Sequence, residues 1–195
     1  GYETYQKILS EAVKELRNEE FQDLYAEDAN EAASEAKATD FVDECQLETD
    51  LPAHLPETYV PTSSERMLLY RELDQMEQDH QIEAFCTRLK DRFGPMPKEA
   101  EVLCQMVRLR RLGKQIGAER LVLKNGKMRL YFVQSEQSPY YQSKEFGQIV
   151  AYYSVNAANC QLSERNGHKF LNIAGIRDVH RAIDILDNIL QIKVD

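Results

Sequence analysis

The sequence predicts an α+β fold: a helical N-terminal half, then a small, mostly antiparallel sheet packed with helices. Three observations carry this. Apolar residues between 64 and 116 recur at helical spacing, and two Asn-Gly dipeptides further on each sit between runs of alternating polarity. Each hairpin is followed by a helical stretch, giving the order ββα–ββα. The economical arrangement is a four-stranded sheet with helices on one face.

Residues 3–17 place Tyr5, Ile8, Leu9, Ala12, Val13 and Leu16 at spacings of 3 and 4, an amphipathic helix. Residues 26–44 are rich in Ala and Glu and hold few large apolar groups, so they read as an acidic linker. Pro52, Pro56 and Pro61 punctuate residues 45–61, which read as an extended strap laid over a domain. A helix is expected over 64–78, capped by Ser63 or Ser64, with Met67, Tyr70, Leu73 and Met76 on one face. The next, over 80–93, carries the stripe Ile82, Phe85, Cys86, Leu89 and Phe93 and is ended by Gly94 and Pro95. Pro97 opens a third helix to about residue 116 with two apolar stripes. One is Ala100, Leu103, Cys104 and Val107; the other is Met106, Leu109, Leu112 and Ile116, so this helix is central.

Asn125-Gly126 closes the first hairpin, because a type I′ turn needs positive φ at both central residues. In that register Leu123 faces Met128 and Leu121 faces Leu130. Lys124, Lys127 and Arg129 go to the opposite side. A helix follows at about 139–153. Asn166-Gly167 repeats the device, with Leu162 opposite Leu171 and Cys160 opposite Ile173. Asp178 caps a last helix that buries Val179, Ala182, Ile183, Leu186 and Leu190.

Several chemistries find no support. The 195 residues contain no phosphate-cradling Gly-rich loop and no apolar run near the ~20 residues that span a bilayer. The four cysteines lie far apart with no CxxC pair, which speaks against a disulfide framework or zinc site and for a reducing compartment. His54, His80, His168 and His180 do not cluster, and read as surface histidines rather than metal ligands. Ser163 near His168 lacks the acidic orienter and oxyanion donors of a nucleophile–base pair. Tyr140, Tyr141, Tyr152 and Tyr153 read as half-buried helix residues rather than a stacking platform. Gly113-x-x-x-Gly117 reads as close contact or a helix cap. No catalytic constellation, cofactor site or metal site is expected. The chain begins at Gly1 without an initiator Met, and reads as part of something longer.

The net charge of −9 is unevenly spread. Residues 1–62 hold 4 basic and 16 acidic side chains, whereas residues 85–129 hold 12 basic and 4 acidic ones. The acidic balance argues against a dedicated nucleic-acid binder, since phosphates need cations. The basic segment leaves three readings open: a solvated face, a protein-docking surface, or a nucleic-acid-binding module.

Within that segment, Arg88-Leu-Lys-Asp91-Arg92-Phe93-Gly94-Pro-Met-Pro97 resembles the E-L-x-D-R-[FY]-G-x-x-P signature of the bacterial transcription-repair coupling factor family, in its C-terminal domain. Other pieces agree in order. Gly1-Tyr2-x-x-Tyr5 with Leu9-x-Glu11-Ala12-Val13 is similar to the family's helix after its motor motifs. Leu55-Pro56-x-x-Tyr59-Val60-Pro61 and Arg66-x-x-x-Tyr70-Arg71 are similar to its LPxxYIP…RLxxYRR stretch. The resemblance covers nearly the whole chain.

It implies a bacterial, cytoplasmic parent: an ATP-dependent DNA translocase that acts on stalled RNA polymerase and couples transcription to nucleotide excision repair. ATP and Mg would belong to the motor upstream of Gly1, and DNA would be bound mainly there. Residues 1–25 would be the motor's terminal helix, 26–44 the linker, and 45–195 a non-catalytic regulatory domain. That domain would dock on the N-terminal domain of the same protein and mask the surface recruiting the damage-recognition subunit of the excinuclease. Its partner-binding residues would be Arg88, Asp91, Arg92, Phe93 and Gly94. The chain departs from the family at Arg88, where the signature has Glu. Either the partner surface has compensated, or the contact has moved to Asp91 and Glu83.

Overall fold

A computed structural model describes residues 41–195. The helix expected over 3–17 and most of the 26–44 linker lie outside these residues. Of the stretch read as linker, Val42 is buried and Phe41 sets its ring 5.4 Å from Tyr140, so both join the folded body.

The order is β1 (Gln46–Thr49), α1 (Ser63–Asp74), α2 (Asp79–Phe93), α3 (Lys98–Ile116), β2 (Ala118–Lys124), β3 (Lys127–Phe132), α4 (Lys144–Val155), β4 (Cys160–Arg165), β5 (His168–Ala174) and α5 (Val179–Leu190). The fold is α+β, as read from the sequence. The sheet has five strands rather than four, in the order β1-β2-β3-β5-β4. The additional strand comes from the strap, and β1 lies parallel to β2 with Leu47 beside Leu121. The other ladders are antiparallel, so the sheet is mixed.

Both hairpins take the expected register, with Leu123 opposite Met128 and Leu162 opposite Leu171. Asn125 and Gly126 have φ of 55° and 71°, Asn166 and Gly167 54° and 75°, as a type I′ turn requires.

Three helices differ from expectation at their ends. The first helix is capped at Thr62 and stops at Asp74, whose carboxylate is held by Arg110 from α3. Pro97 is the N-cap of α3 rather than its first residue. The stretch from 139 breaks at Ser143: a 3-10 turn over Pro139–Gln142 precedes α4, and the Ser143 hydroxyl accepts the Phe146 N–H to start it.

The two stripes of α3 serve two different cores. Met106, Leu109, Leu112 and Ile116 face the sheet, meeting Leu121, Leu130, Leu171 and the α5 residues Ile183 and Leu186. Ala100 and Cys104 join a second core with Tyr70 and Leu73 of α1 and Ile82, Phe85 and Leu89 of α2. Apolar burial drives both, at roughly 25 cal/mol per Å². The strap lines both: Cys45 and Ala53 belong to the first core, Leu55, Tyr59 and Val60 to the second.

Gly113 and Gly117 are contact and cap positions. A Cβ on Gly113 would stand 3.0 Å from the Cys45 Sγ, and Gly117, at φ +94°, ends α3 against the Tyr140 ring.

Candidate docking site at the end of helix α2

Arg88, Asp91 and Arg92 are exposed along the last turns of α2. Basic residues there suit the negative end of the helix dipole. Phe93 is half-buried, its ring 5.7 Å from that of Tyr59. Gly94 follows at φ +89°, a value that disfavours a side chain, and its N–H donates to the Lys90 carbonyl at 2.9 Å.

The strap fixes this turn. The Tyr59 hydroxyl reaches the Gly94 carbonyl at 2.8 Å and the Leu89 carbonyl at 3.2 Å. Burial raises the Tyr59 pKa, so it stays a neutral donor. Beside it, the buried Arg66 donates to the Val60 carbonyl at 2.7 Å and the Pro61 carbonyl at 3.0 Å, while the Leu55 N–H donates to the Tyr70 hydroxyl at 2.8 Å. Two stretches far apart in sequence, Leu55–Pro61 and Arg88–Pro97, are thus one hydrogen-bonded unit.

Arg88 and Arg92 are not free cations. Arg88 pairs with Glu72 and Arg92 with Glu65, both on α1. Glu65 and Glu72 are seven residues apart, two helical turns, and Leu68 lies between them on the same face. Leu68 is 63% exposed. The result is an apolar side chain flanked by two ion pairs, with Asp91 holding no ion pair among the described residues.

Sequence reasoning missed Leu68 and the two glutamates. The available signal was a large apolar residue off the stripe of its own helix. Of the two possibilities left open by Arg88, the Glu83 carboxylate lies 3.9 Å from Arg108, within its own chain.

The rest of the basic segment divides into two groups. On α3, Arg110 pairs with Asp74, Arg111 with Asp79, and Arg108 lies 3.4 Å from Asp79. The acidic stretch 63–84 thereby neutralises the helical arginines. On the sheet, Lys124, Lys127 and Arg129 lie on the face opposite Leu121, Leu123 and Met128.

The remaining candidates take structural places. Tyr140 is fully buried and donates to the Ile116 carbonyl at 2.7 Å; burial raises its pKa. Tyr141, Tyr152 and Tyr153 are partly buried. The β4–β5 register puts Ser163 opposite Phe170, and His168 opposite Arg165; His168 turns its Nε2 to the Phe132 carbonyl at 2.7 Å. Among the described residues no three His, Cys, Asp or Glu side chains come together to hold a metal ion. No described helix is long and apolar enough to cross a membrane.

The cysteines are all free thiols. Burial pushes Cys45 up to about 12. Cys86 is only half-buried and is lowered to about 7, first by a hydrogen bond from the Cys104 thiol, with Lys90 and Arg108 adding positive charge. Cys104, the donor, is raised correspondingly.

These features define a class: an α+β module presenting a glycine-ended helix ridge bordered by ion pairs. The sequence model of the TRCF domain family matches residues 49–143. Among curated relatives, the transcription-repair-coupling factor of Mycobacterium bovis is 30% identical over 120 residues, and that of Escherichia coli 25% identical over 122. These alignments take in 60% and 62% of the chain, and each spans 9% of the relative's length. In fold it is similar to a crystal structure of the C-terminal domain of transcription-repair coupling factor. The TM-score is 0.63 at 18% identity, covering 78% of this chain and 94% of that one.

Proposed function

We propose that this chain is a non-catalytic, autoinhibitory domain of a bacterial, cytoplasmic, ATP-dependent DNA translocase that couples transcription to nucleotide excision repair. It docks through Arg88, Asp91, Arg92, Phe93 and Gly94 on the N-terminal domain of the same protein. Docked, it masks the surface that recruits the damage-recognition subunit of the excinuclease. It releases when the motor engages DNA and RNA polymerase. ATP and Mg serve the motor.

The observation that carries this reading is the ridge itself. Tyr59 and Gly94 hold its end rigid, while its charges are paired across an exposed seam with Leu68 between them. An exposed ion pair contributes ~0–1 kcal/mol, so exchanging internal partners for those of a docked surface is nearly neutral. Such a contact is releasable. Moving a closed state from 99:1 to 1:99 takes about 5.5 kcal/mol of differential binding, within reach of a motor engaging its substrates.

The test is made in the full-length protein. Asp91→Arg with Arg92→Glu should increase recruitment of the excinuclease subunit and raise basal ATPase activity. Unchanged recruitment and ATPase, with the double variant folded, would overturn docking at these residues.

A further inference from the structure

The face of the sheet turned away from the helices belongs to neither core. Its rows follow from the register. Val122, Arg129, Asn172 and Gln161 share one row, and Arg120, Tyr131, Phe170 and Ser163 the next. Phe170 is only 6% exposed, yet it is part of neither apolar core. The Arg129 guanidinium covers it, 4.6 Å from the ring centre, with Tyr131 at 5.8 Å. Arg120 stands 5.3 Å from the Tyr131 ring. The two aromatics are therefore in register on adjacent strands in the middle of the sheet, interleaved with planar cations.

The charge on this face is not internally balanced. Arg120 and Lys124 share one carboxylate, Glu48, at 2.7 and 3.7 Å. Lys127 and Arg129 hold no acidic partner among the described residues; Arg129 is held instead by Asn172 and the Tyr131 hydroxyl. Arg120 also keeps a buried Nε without an acceptor among the described residues. This contrasts with α3, whose arginines are paired to acids.

We infer that this open face binds single-stranded nucleic acid, bases stacking on the Tyr131 ring and on the Arg129 guanidinium that lies over Phe170, and phosphates meeting Lys124, Lys127 and Arg120. Tyr131 and Lys127 are four residues apart on one strand, roughly 13 Å. That distance accommodates about four stacked nucleotides at ~3.4 Å each. Base stacking on aromatic side chains exposed on a sheet is a general solution to single-strand binding, tolerant of sequence because every base has a π face. Asn172, Gln161 and Ser163 add hydrogen-bonding groups for base edges beside the ladder. A duplex suits the face poorly, since it offers no protruding helix or ribbon to enter a groove. An acidic peptide would satisfy the cations and leave the rings without a stacking partner. The inference is independent of docking at α2, which lies on a different part of the molecule.

The chain has no tryptophan, so Tyr131→Trp places a single fluorescent reporter in the ladder. Oligothymidylate added at low salt should quench its emission saturably. The log–log salt slope should be about −2 if three phosphates are contacted. Anisotropy of labelled oligothymidylate with the unsubstituted chain carries the same test without a substitution. Arg129→Ala should weaken binding at least about fivefold, and Arg129→Lys, which keeps the charge but not the plane, nearly as much, both with native circular dichroism. Absence of quenching and of anisotropy change at low salt would overturn the inference. So would a duplex of equal length binding as tightly, or polyglutamate quenching as strongly, which would reassign the face to an acidic polypeptide.

Discussion

The Tyr59 hydroxyl lies 2.8 Å from the Gly94 carbonyl, so the strap and the end of α2 are locked by one phenol. Tyr59→Phe removes the donor and leaves the Gly94 and Leu89 carbonyls without it. The expected loss is about 1 kcal/mol in urea unfolding. Amide exchange near the α2 terminus should accelerate with it, and an unchanged exchange rate there would argue that the turn holds by itself.

Gly117→Ala is expected to be the most damaging small substitution in the domain. At φ +94° a side chain is strained, and its Cβ would come within 2.1 Å of Tyr140 Cε2. Tyr140 cannot yield easily, because its ring is fully buried and its hydroxyl is bonded to Ile116. A loss of roughly 3 kcal/mol or more should appear in thermal or urea unfolding. Tyr140→Phe, losing the hydrogen bond alone, should cost about 1 kcal/mol.

Thiol labelling should single out Cys86. Its pKa of about 7, lowered by the Cys104 thiol, gives substantial thiolate at neutral pH. Cys45, pushed up to about 12 by burial, has almost none. Iodoacetamide should modify Cys86 first, with a rate that rises through a midpoint near pH 7. Cys104→Ser keeps a donor and Cys104→Ala removes it, so the midpoint should move upward in the Ala variant. A midpoint fixed in both would show that Lys90 and Arg108 alone set it.

Acid should loosen the β1–β2 edge. Glu48 is held below its ordinary value of 4.5, first by the hydrogen bond from Arg120. A carboxyl depressed in the folded state contributes stability fully present above its unfolded pKa, and lost as pH falls through the folded value. Both side chains are partly exposed, so the contribution is about 0.5 kcal/mol. Glu48→Gln should therefore lower stability slightly at pH 7 and merge with the parent below both values; a constant offset at all pH would point to lost contacts instead.

The parts of the fold that were legible in sequence are those with local causes. Asn125-Gly126 and Asn166-Gly167 set hairpin register because the turn type dictates it within a few residues. The two stripes of α3 and its central place were legible because helical periodicity reports faces directly, whereas their division between two cores was not. β1 was not legible: Gln46–Thr49 is four residues long and pairs in parallel with a strand more than seventy positions away. Nor does periodicity say that α1 stops at Asp74, a matter settled by Arg110 across space. For the ridge at the end of α2, the signature residues were readable from resemblance. Their neutralisation by Glu65 and Glu72 was not, because ion-pair choice depends on how α1 lies against α2.

The strap has a mechanical consequence. Between Val42 and Val60 the chain contributes buried side chains first to the sheet core and then to the helical core. A pull applied at Phe41 is therefore not borne by one terminal strand alone. It runs along the β1–β2 ladder and on through Tyr59 into the turn at Gly94. Tension on the upstream chain thus has a direct load path to the ridge at the end of α2, and strain delivered there would act first on the geometry of that turn.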